Sequence, residues 1–556
     1  MMMLLALLIA AAEPTAAYRE LDRAKVTGDE ARARIATVVQ SLNDFAMPRS
    51  ATVLLAALAT DPDQSDGVRA AARAQLAARA AEDRALAHLL LMDQADPGKL
   101  PAALAVAIAR GHLERALQIA PPEEGAAFET LRHEAPDVQA AHADVPRPLD
   151  GELAAAMGLQ ASEPAQAPAS EFPQKLSPAA QRELDAARAL AASVPAGDAV
   201  EGDAREVAAL AALAAGDPAS ATREFLAIAD LPVKRGDAAA IQRHDKAYLQ
   251  LARLAYQGGD DKLAARLYER VGRGAPEWLD ALFEASWAHF RRGEDEKALG
   301  NLLTLHAPFF QERFFPESFV LKALVLYENC RYPDARAALA DFQQRYQRLH
   351  DGLAEALASL PTAQAASDLL MRGPVGLQQA IPAAAREEVA RIEQDGDLRE
   401  TLLAAMQLAQ EIDSIDRRPE PFRKSALIAR VAPLARQARV RLLTVAGQKL
   451  IARIDAERAT LRELLAQSLR LSYEIAGREK ELAAGPDAPS PAQTRKDPPQ
   501  VGDDEELWPF QGEYWRDELG SYRYQLGQRC KRPRAPLQTA SQPPAAPEKV
   551  AGAPGN

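Results

Sequence analysis

The stretch Gly258-Gly259-Asp260-Asp261-Lys262-Leu263-Ala264-Ala265-Arg266-Leu267-Tyr268-Glu269-Arg270-Val271 starts on a tight turn and then sets Ala264, Tyr268 and Val271 four and three residues apart. Spacing of this kind puts a small residue and two bulky ones on one face of a helix. The pattern returns three times. Gly216-Asp217-Pro218 precedes Ala221, Phe225 and Ile228; Gly293-Glu294-Asp295 precedes Ala298, Leu302 and Leu305; Cys330-Arg331-Tyr332-Pro333 precedes Ala335, Leu339 and Phe342. Twelve residues before each turn alanine stands another small residue: Ala209, Ala252, Ser286 or Ala323. Two small residues in this register let the two helices of a pair cross closely.

Ala264 to Ala298 is a step of 34 residues, and Pro276 follows Ala264 where the second helix should end. In these features the chain resembles the tetratricopeptide-repeat family, most clearly at Leu251, Ala252, Ala264, Tyr268 and Pro276. The resemblance covers about residues 203–345 and has a weaker echo at Ala107, Gly111, Ala116 and Ile119. It departs from the family at His289, where Tyr is preferred, and at Lys322, where Leu is preferred. The steps 221 to 264 and 298 to 335 are longer than 34 residues, with an insertion at His306-Ala307-Pro308-Phe309-Phe310. The resemblance implies an α-solenoid in which Ala221, Ala252, Ala264, Tyr268, Pro276, Ser286, Ala298, Ala323 and Ala335 pack the repeats together. It also implies a groove for another polypeptide, lined by Leu249, Arg253, Tyr256, Phe283, Trp287, Phe290, Val320, Leu324 and Tyr327.

Composition agrees with an all-α fold. The chain has 556 residues, 48% hydrophobic and only 5% aromatic, which is too long for one core and too poor in aromatics for a β-rich one. Its formal net charge of −12 argues against a nucleic-acid partner, which needs a positive face to displace counterions. Met1 to Ala12 carries no charge and passes from Leu4-Leu5-Ala6-Leu7-Leu8-Ile9 into Ala10-Ala11-Ala12, with Thr15-Ala16-Ala17 as a second small-residue site. Residues 1–17 are therefore expected to be a signal peptide, which would send the protein to the periplasm or outer membrane. The alternative is a buried N-terminal helix in a cytoplasmic regulator. No later segment has the apolar length of a membrane span.

The rest divides by composition. Residues 18–143 read as a degenerate helical segment, 144–178 as a Pro/Ala-rich linker and 179–348 as the repeat array. Residues 349–484 read as a long-helix hairpin or coiled coil, 485–505 as a second linker, 506–532 as an aromatic module and 533–556 as a disordered tail. In the long-helix region Leu450, Leu464 and Leu471 share one heptad line and Ile454, Leu461 and Ile475 another, with Glu457 and Ser468 interrupting the seam. Pro419 and Pro421 separate this helix from the preceding one. Residues 417–453 hold ten Lys or Arg and a single acid, Glu420, and are expected to neutralise acidic neighbours in the same molecule.

The aromatic module packs Trp508, Phe510, Tyr514, Trp515, Tyr522 and Tyr524 into 17 residues. Such rings are expected to fill the chain's own groove unless a partner does. Cys330 and Cys530 are the only cysteines; in an exported protein they either pair and staple the tail to the repeats or stand as two free thiols.

Catalytic patterns are missing. There is no HExxH, GxSxG, phosphate-cradling glycine loop or CxxC, and the eight histidines are scattered. No cofactor, metal or enzymatic activity is expected. Together with the repeats, the tail and the Glu328-Asn329-Cys330-Arg331-Tyr332 turn resemble large exported tetratricopeptide-repeat proteins of myxobacteria and related predatory bacteria, some of which serve adventurous gliding motility. That resemblance implies a non-catalytic envelope scaffold whose partners are proteins or peptides. A structural protein self-associating through its long helices is the other reading.

Overall fold

The structure is a computed structural model that describes residue 18 and residues 28–79, 100–119, 176–311, 313–484, 501–503 and 505–526. The expected signal peptide, most of both linkers, Cys530 and the expected disordered tail lie outside the described residues. Within them the chain is all-α, with no strand.

Three N-terminal helices, α1 (Gly28–Asp44), α2 (Pro48–Thr60) and α3 (Asp66–Arg79), pack on one another, and α3 passes the contact to α4 (Ala102–Ile119). Helix α4 continues through Gly111, one of the positions of the weak repeat echo. Its burial against α5 (Pro178–Ala192) outweighs the modest helix penalty of one glycine.

Next come α6 (Glu201–Ala214), α7 (Pro218–Ala229), α8 (Ala238–Gln257), α9 (Asp261–Tyr268), α10 (Trp278–Arg291), α11 (Asp295–Leu305), α12 (Pro316–Glu328) and α13 (Tyr332–Ser359). Each packs on the next. Asp217, Asp237 and Asp260 cap α7, α8 and α9 by accepting from the N–H groups of Ser220, Ala240 and Leu263 at 2.9–3.0 Å.

The four pairs α6/α7, α8/α9, α10/α11 and α12/α13 share one turn geometry. Gly216, Gly259 and Gly293 take φ of 74–82° there, and each turn closes with the paired backbone bonds of a Schellman motif, as in Gly259 N–H to Tyr256 O and Asp260 N–H to Ala255 O. Ala209, Ala221, Ala252, Ala264, Ser286, Ala298, Ala323 and Ala335 are all fully buried at the crossings. Tyr268 is buried as well, and Pro276 lies half-buried after α9. At the insertion, a 3-10 turn at Pro308–Phe310 leads out of α11, and the His306 ring stacks on Phe319. Burial holds His306 neutral, with its pKa down at about 3.

Beyond α13 lie α14 (Ala363–Ala380, kinked at Gly373-Pro374), α15 (Arg386–Glu393), α16 (Gly396–Ser414), the short α17 (Glu420–Arg423) and α18 (Ala426–Ala484). Helix α18 has 59 residues, roughly 90 Å of rise. Its seam is shared among distant parts of the chain. Leu427 and Val431 enter the N-terminal core, and Ala435, Ala438 and Leu442 meet Val53 of α2 and Ala404, Ala405 and Leu408 of α16. Leu450, Ile454 and Leu461 pack into the core of α13–α16, and Leu471 and Ile475 reach that of α10–α13. The interruptions in the seam find polar partners. Glu457 pairs with Arg391 of α15 and lies 3.3 Å from Arg453, while Ser468 accepts from Gln343 of α13 at 3.2 Å.

One cap joins two distant parts of the chain. The buried Glu411 carboxylate on α16 accepts from the backbone N–H groups of Arg49 and Ser50, at 2.9 and 2.7 Å, in the open first turn of α2. Glu411→Ala should therefore destabilise the protein by about 1–3 kcal/mol in denaturant titration and speed hydrogen exchange at Arg49 and Ser50. Unchanged exchange there would show that the cap contributes nothing.

Asp245 on α8 is buried and accepts from Gly272 N–H at 3.0 Å. Burial pushes its pKa from 3.8 up to about 7. A carboxyl raised in the folded state contributes full stability below its unfolded pKa and loses it as pH rises through the folded value. Asp245→Asn should thus match wild type near pH 4 and be more stable above pH 7, by on the order of 4 kcal/mol at full ionisation. Thermal melts across that range check the sign, and a wild type more stable than the variant at pH 8 contradicts it.

Candidate binding site

The first helices of the pairs, α8, α10 and α12, carry the expected groove stripe, and its nine residues do not behave alike. Leu249, Arg253, Phe290 and Val320 are buried, whereas Tyr256, Phe283, Trp287, Leu324 and Tyr327 are half-buried. Arg253 is turned inward by charge. Its guanidinium lies 2.8 Å from Glu284 of α10, and the Tyr268 hydroxyl of α9 donates to the same carboxylate at 3.1 Å. Burial and the Glu284 charge push the Tyr268 hydroxyl well above its ordinary pKa, so it stays a donor. Three helices are thereby tied by one polar knot, and Arg253 has no role at the surface.

The half-buried members make a rim. Arg291 sits 4.4 Å over the Tyr256 ring and 3.1 Å from Asp261. Phe283 packs on Phe315, and Trp287 meets Phe290 edge to face. Leu324 and Tyr327 share a cluster with Leu471 and Ile475 from the end of α18, whose Arg478 bonds the Tyr327 hydroxyl. The far end of the stripe is therefore partly covered by the chain's own long helix. Tyr256, Phe283 and Trp287 are the half-buried rings of α8 and α10, and Phe283 and Trp287 border the same cluster.

The tail's hydrogen bonds go to a neighbouring helix rather than to this stripe, while Tyr524 and Leu526 join the cluster that Phe283, Trp287, Leu324 and Tyr327 border. The tail runs along α11, the second helix of its pair. Gly520 N–H donates to Thr304 Oγ1 at 2.9 Å, Tyr524 N–H to the Glu296 carbonyl at 2.9 Å and Leu526 N–H to the Glu296 carboxylate at 3.1 Å. Arg331 donates to the Leu526 carbonyl, and Arg273 to that of Asp517 at 3.0 Å. The buried anchors are Leu519 and Leu526.

The six expected docking aromatics mostly contact one another. Trp508 stacks between Trp515 and Tyr522 at centroid distances of 5.0 and 5.2 Å and touches Phe510 edge to face, while Phe510 meets Tyr514. The Tyr522 hydroxyl bonds the Trp515 backbone through both N–H and C=O. Only Tyr524 joins the cluster of α10–α13. Stacking satisfies the rings locally, so they do not need a distant groove.

Sequence reasoning missed Gly300, Thr304, Leu519 and Leu526. A glycine in the middle of the leucine-rich α11 was the available signal. A Cβ on Gly300 would collide with the Tyr522 carbonyl, so only glycine lets the tail lie this close. Cys330 is disulfide-bonded; Cys530, the other cysteine in the sequence, lies outside the described residues.

Four of the ten basic residues of 417–453 pair with acids of the same chain. Lys424 pairs with Glu420, Arg430 with Asp61 at 3.6 Å, Lys449 with Asp397 and Glu114, and Arg453 with Glu457. Among the described residues no group of three or more His, Cys, Asp or Glu is placed to hold a metal ion, and no helix is long and apolar enough to cross a membrane.

The burial split within the stripe predicts different fates for neighbouring rings. Phe290→Ala should cost about 3–5 kcal/mol and Trp287→Ala less than half as much with helix content kept, read by circular dichroism and urea melts. Equal losses would mean that Trp287 is core.

No protein-family model matches the chain, and no curated protein shows a significant match to it.

Proposed function

We propose that the protein is a non-catalytic scaffold of the tetratricopeptide-repeat type, exported to the bacterial cell envelope, which holds other proteins or peptides through the half-buried part of its aromatic stripe. The observation that carries this reading is the half-buried row Tyr256, Phe283 and Trp287 on successive first helices. It lies beside crossings whose small residues are fully buried. Aromatic rings left partly in water on a helical face are a residue type that dominates protein recognition. The uncharged run Met1 to Ala12 supports export. A role in motility or another envelope-spanning complex rests on family resemblance alone. Self-association through α18 has less support, because Leu427, Val431, Leu442, Leu450, Ile454 and Leu461 are already buried against the same chain.

Two measurements test the proposal. Mass spectrometry of the mature protein should find the N-terminus cleaved within residues 10–17; an intact Met1 argues for the cytoplasmic alternative. Full-length protein with Tyr256→Ala and Trp287→Ala should keep its helix content yet recover partners from solubilised envelopes about tenfold less well than wild type. Equal recovery would remove the stripe as the binding face.

A further inference from the structure

Tail residues 520, 522 and 524 meet helix residues 304, 300 and 296, so the tail runs antiparallel to α11 with two of its residues spanning four of the helix. The registers match physically. Two extended residues advance about 6.6 Å and four helical residues about 6 Å, so the contact can repeat without strain. Nearly all the polar bonds from the repeats go to the tail's backbone rather than its side chains: the N–H groups of Gly520, Tyr524 and Leu526 and the carbonyls of Asp517 and Leu526. Its side-chain anchors are two leucines seven residues apart. A surface built this way reads an extended chain and a leucine spacing, and little else.

Cys330 adds a lock. It occupies the turn position that Gly216, Gly259 and Gly293 hold in the other pairs, and it takes φ of 56° with the same Schellman bonds. A side chain in this conformation is strained where glycine would not be. The residue that bears the strain is the disulfide-bonded one, one position before the Arg331 that holds the Leu526 carbonyl. Cys330 is also half-buried rather than sealed.

We propose that the outer face of α11 is a docking track for an extended peptide with leucines seven residues apart. Residues 519–526 occupy it as a resident strap, and the Cys330 disulfide keeps that strap in place. The release step uses a dithiol. One of its thiolates attacks a sulfur of the Cys330 disulfide, expelling the other as a thiolate and forming a mixed disulfide. The second thiol then resolves it, so that the protein gains two electrons and two protons and the dithiol leaves as its own disulfide. The strap then competes for the track only through its tether, and a second peptide can enter. The inference concerns α11 and does not depend on the aromatic stripe of α8, α10 and α12.

The test is fluorescence anisotropy of a labelled synthetic peptide with the sequence of residues 517–526, added to the full-length chain. Binding should be weakest to oxidised wild type, stronger after dithiothreitol, and at least tenfold stronger than oxidised wild type in a reduced Leu519→Ala/Leu526→Ala chain, whose own strap is loosened. Gly300→Ala in that reduced background should abolish binding. If it disturbs helix content, Thr304→Val serves instead, with an expected loss of at least threefold. Equal affinity in oxidised wild type and the reduced double variant, or full binding with Gly300 or Thr304 replaced in a folded chain, would overturn the proposal.

Discussion

Close approach of helix backbones at small residues is the constraint on which the described structure depends. At the four crossings the side chains are Ala or Ser, all fully buried, and the bulky residues four and seven positions later fill the space that close crossing leaves on either side. A methylene added at such a point would force the helices apart rather than be absorbed, because the interior is already packed to crystal density. Turn geometry follows from the same demand. Helices that cross this tightly need a short reversal, and the left-handed turn residue supplies it.

Helix α18 acts at longer range. It passes from the N-terminal core to the cluster of α10–α13. Its length exceeds that of any other helix because it spans elements separated by hundreds of residues. Charged groups along it answer to its neighbours. Glu457 is buried beside Arg391 and Arg453, and burial together with the nearby Glu388 pushes its pKa upward. Such a network is better understood as fixing the register of α18 against α15 than as a source of net stability.

The first and second helices of the pairs present different surfaces. On the first helices, rings are half-buried at a rim that the chain leaves partly open. On α11, Glu296, Gly300 and Thr304 receive an extended segment of the same chain. The aromatic module beside it is a small fold of its own, in which Trp508 stacks on both faces and Phe510 and Trp515 remain more than 40% exposed. That exposure separates the rings from the two leucines, which do the anchoring.

What could be read in the chain alone is local. The Ala264, Tyr268 and Val271 spacing foretold helices and their apolar sides, and Gly216, Gly259 and Gly293 marked the turns. These features depend on residues within about ten positions of one another, where backbone sterics and helical periodicity decide the outcome. Which segment covers each apolar side depended on partners far along the chain. Phe290 and Trp287 lie on one helix three residues apart, yet only packing separates core from rim. Glu411 capping α2, Ser468 meeting Gln343 and the tail hydrogen-bonding to α11 rather than to the stripe leave no periodic trace in the sequence. Each is selected by shape and hydrogen-bond complementarity between surfaces that exist only once the helices are assembled.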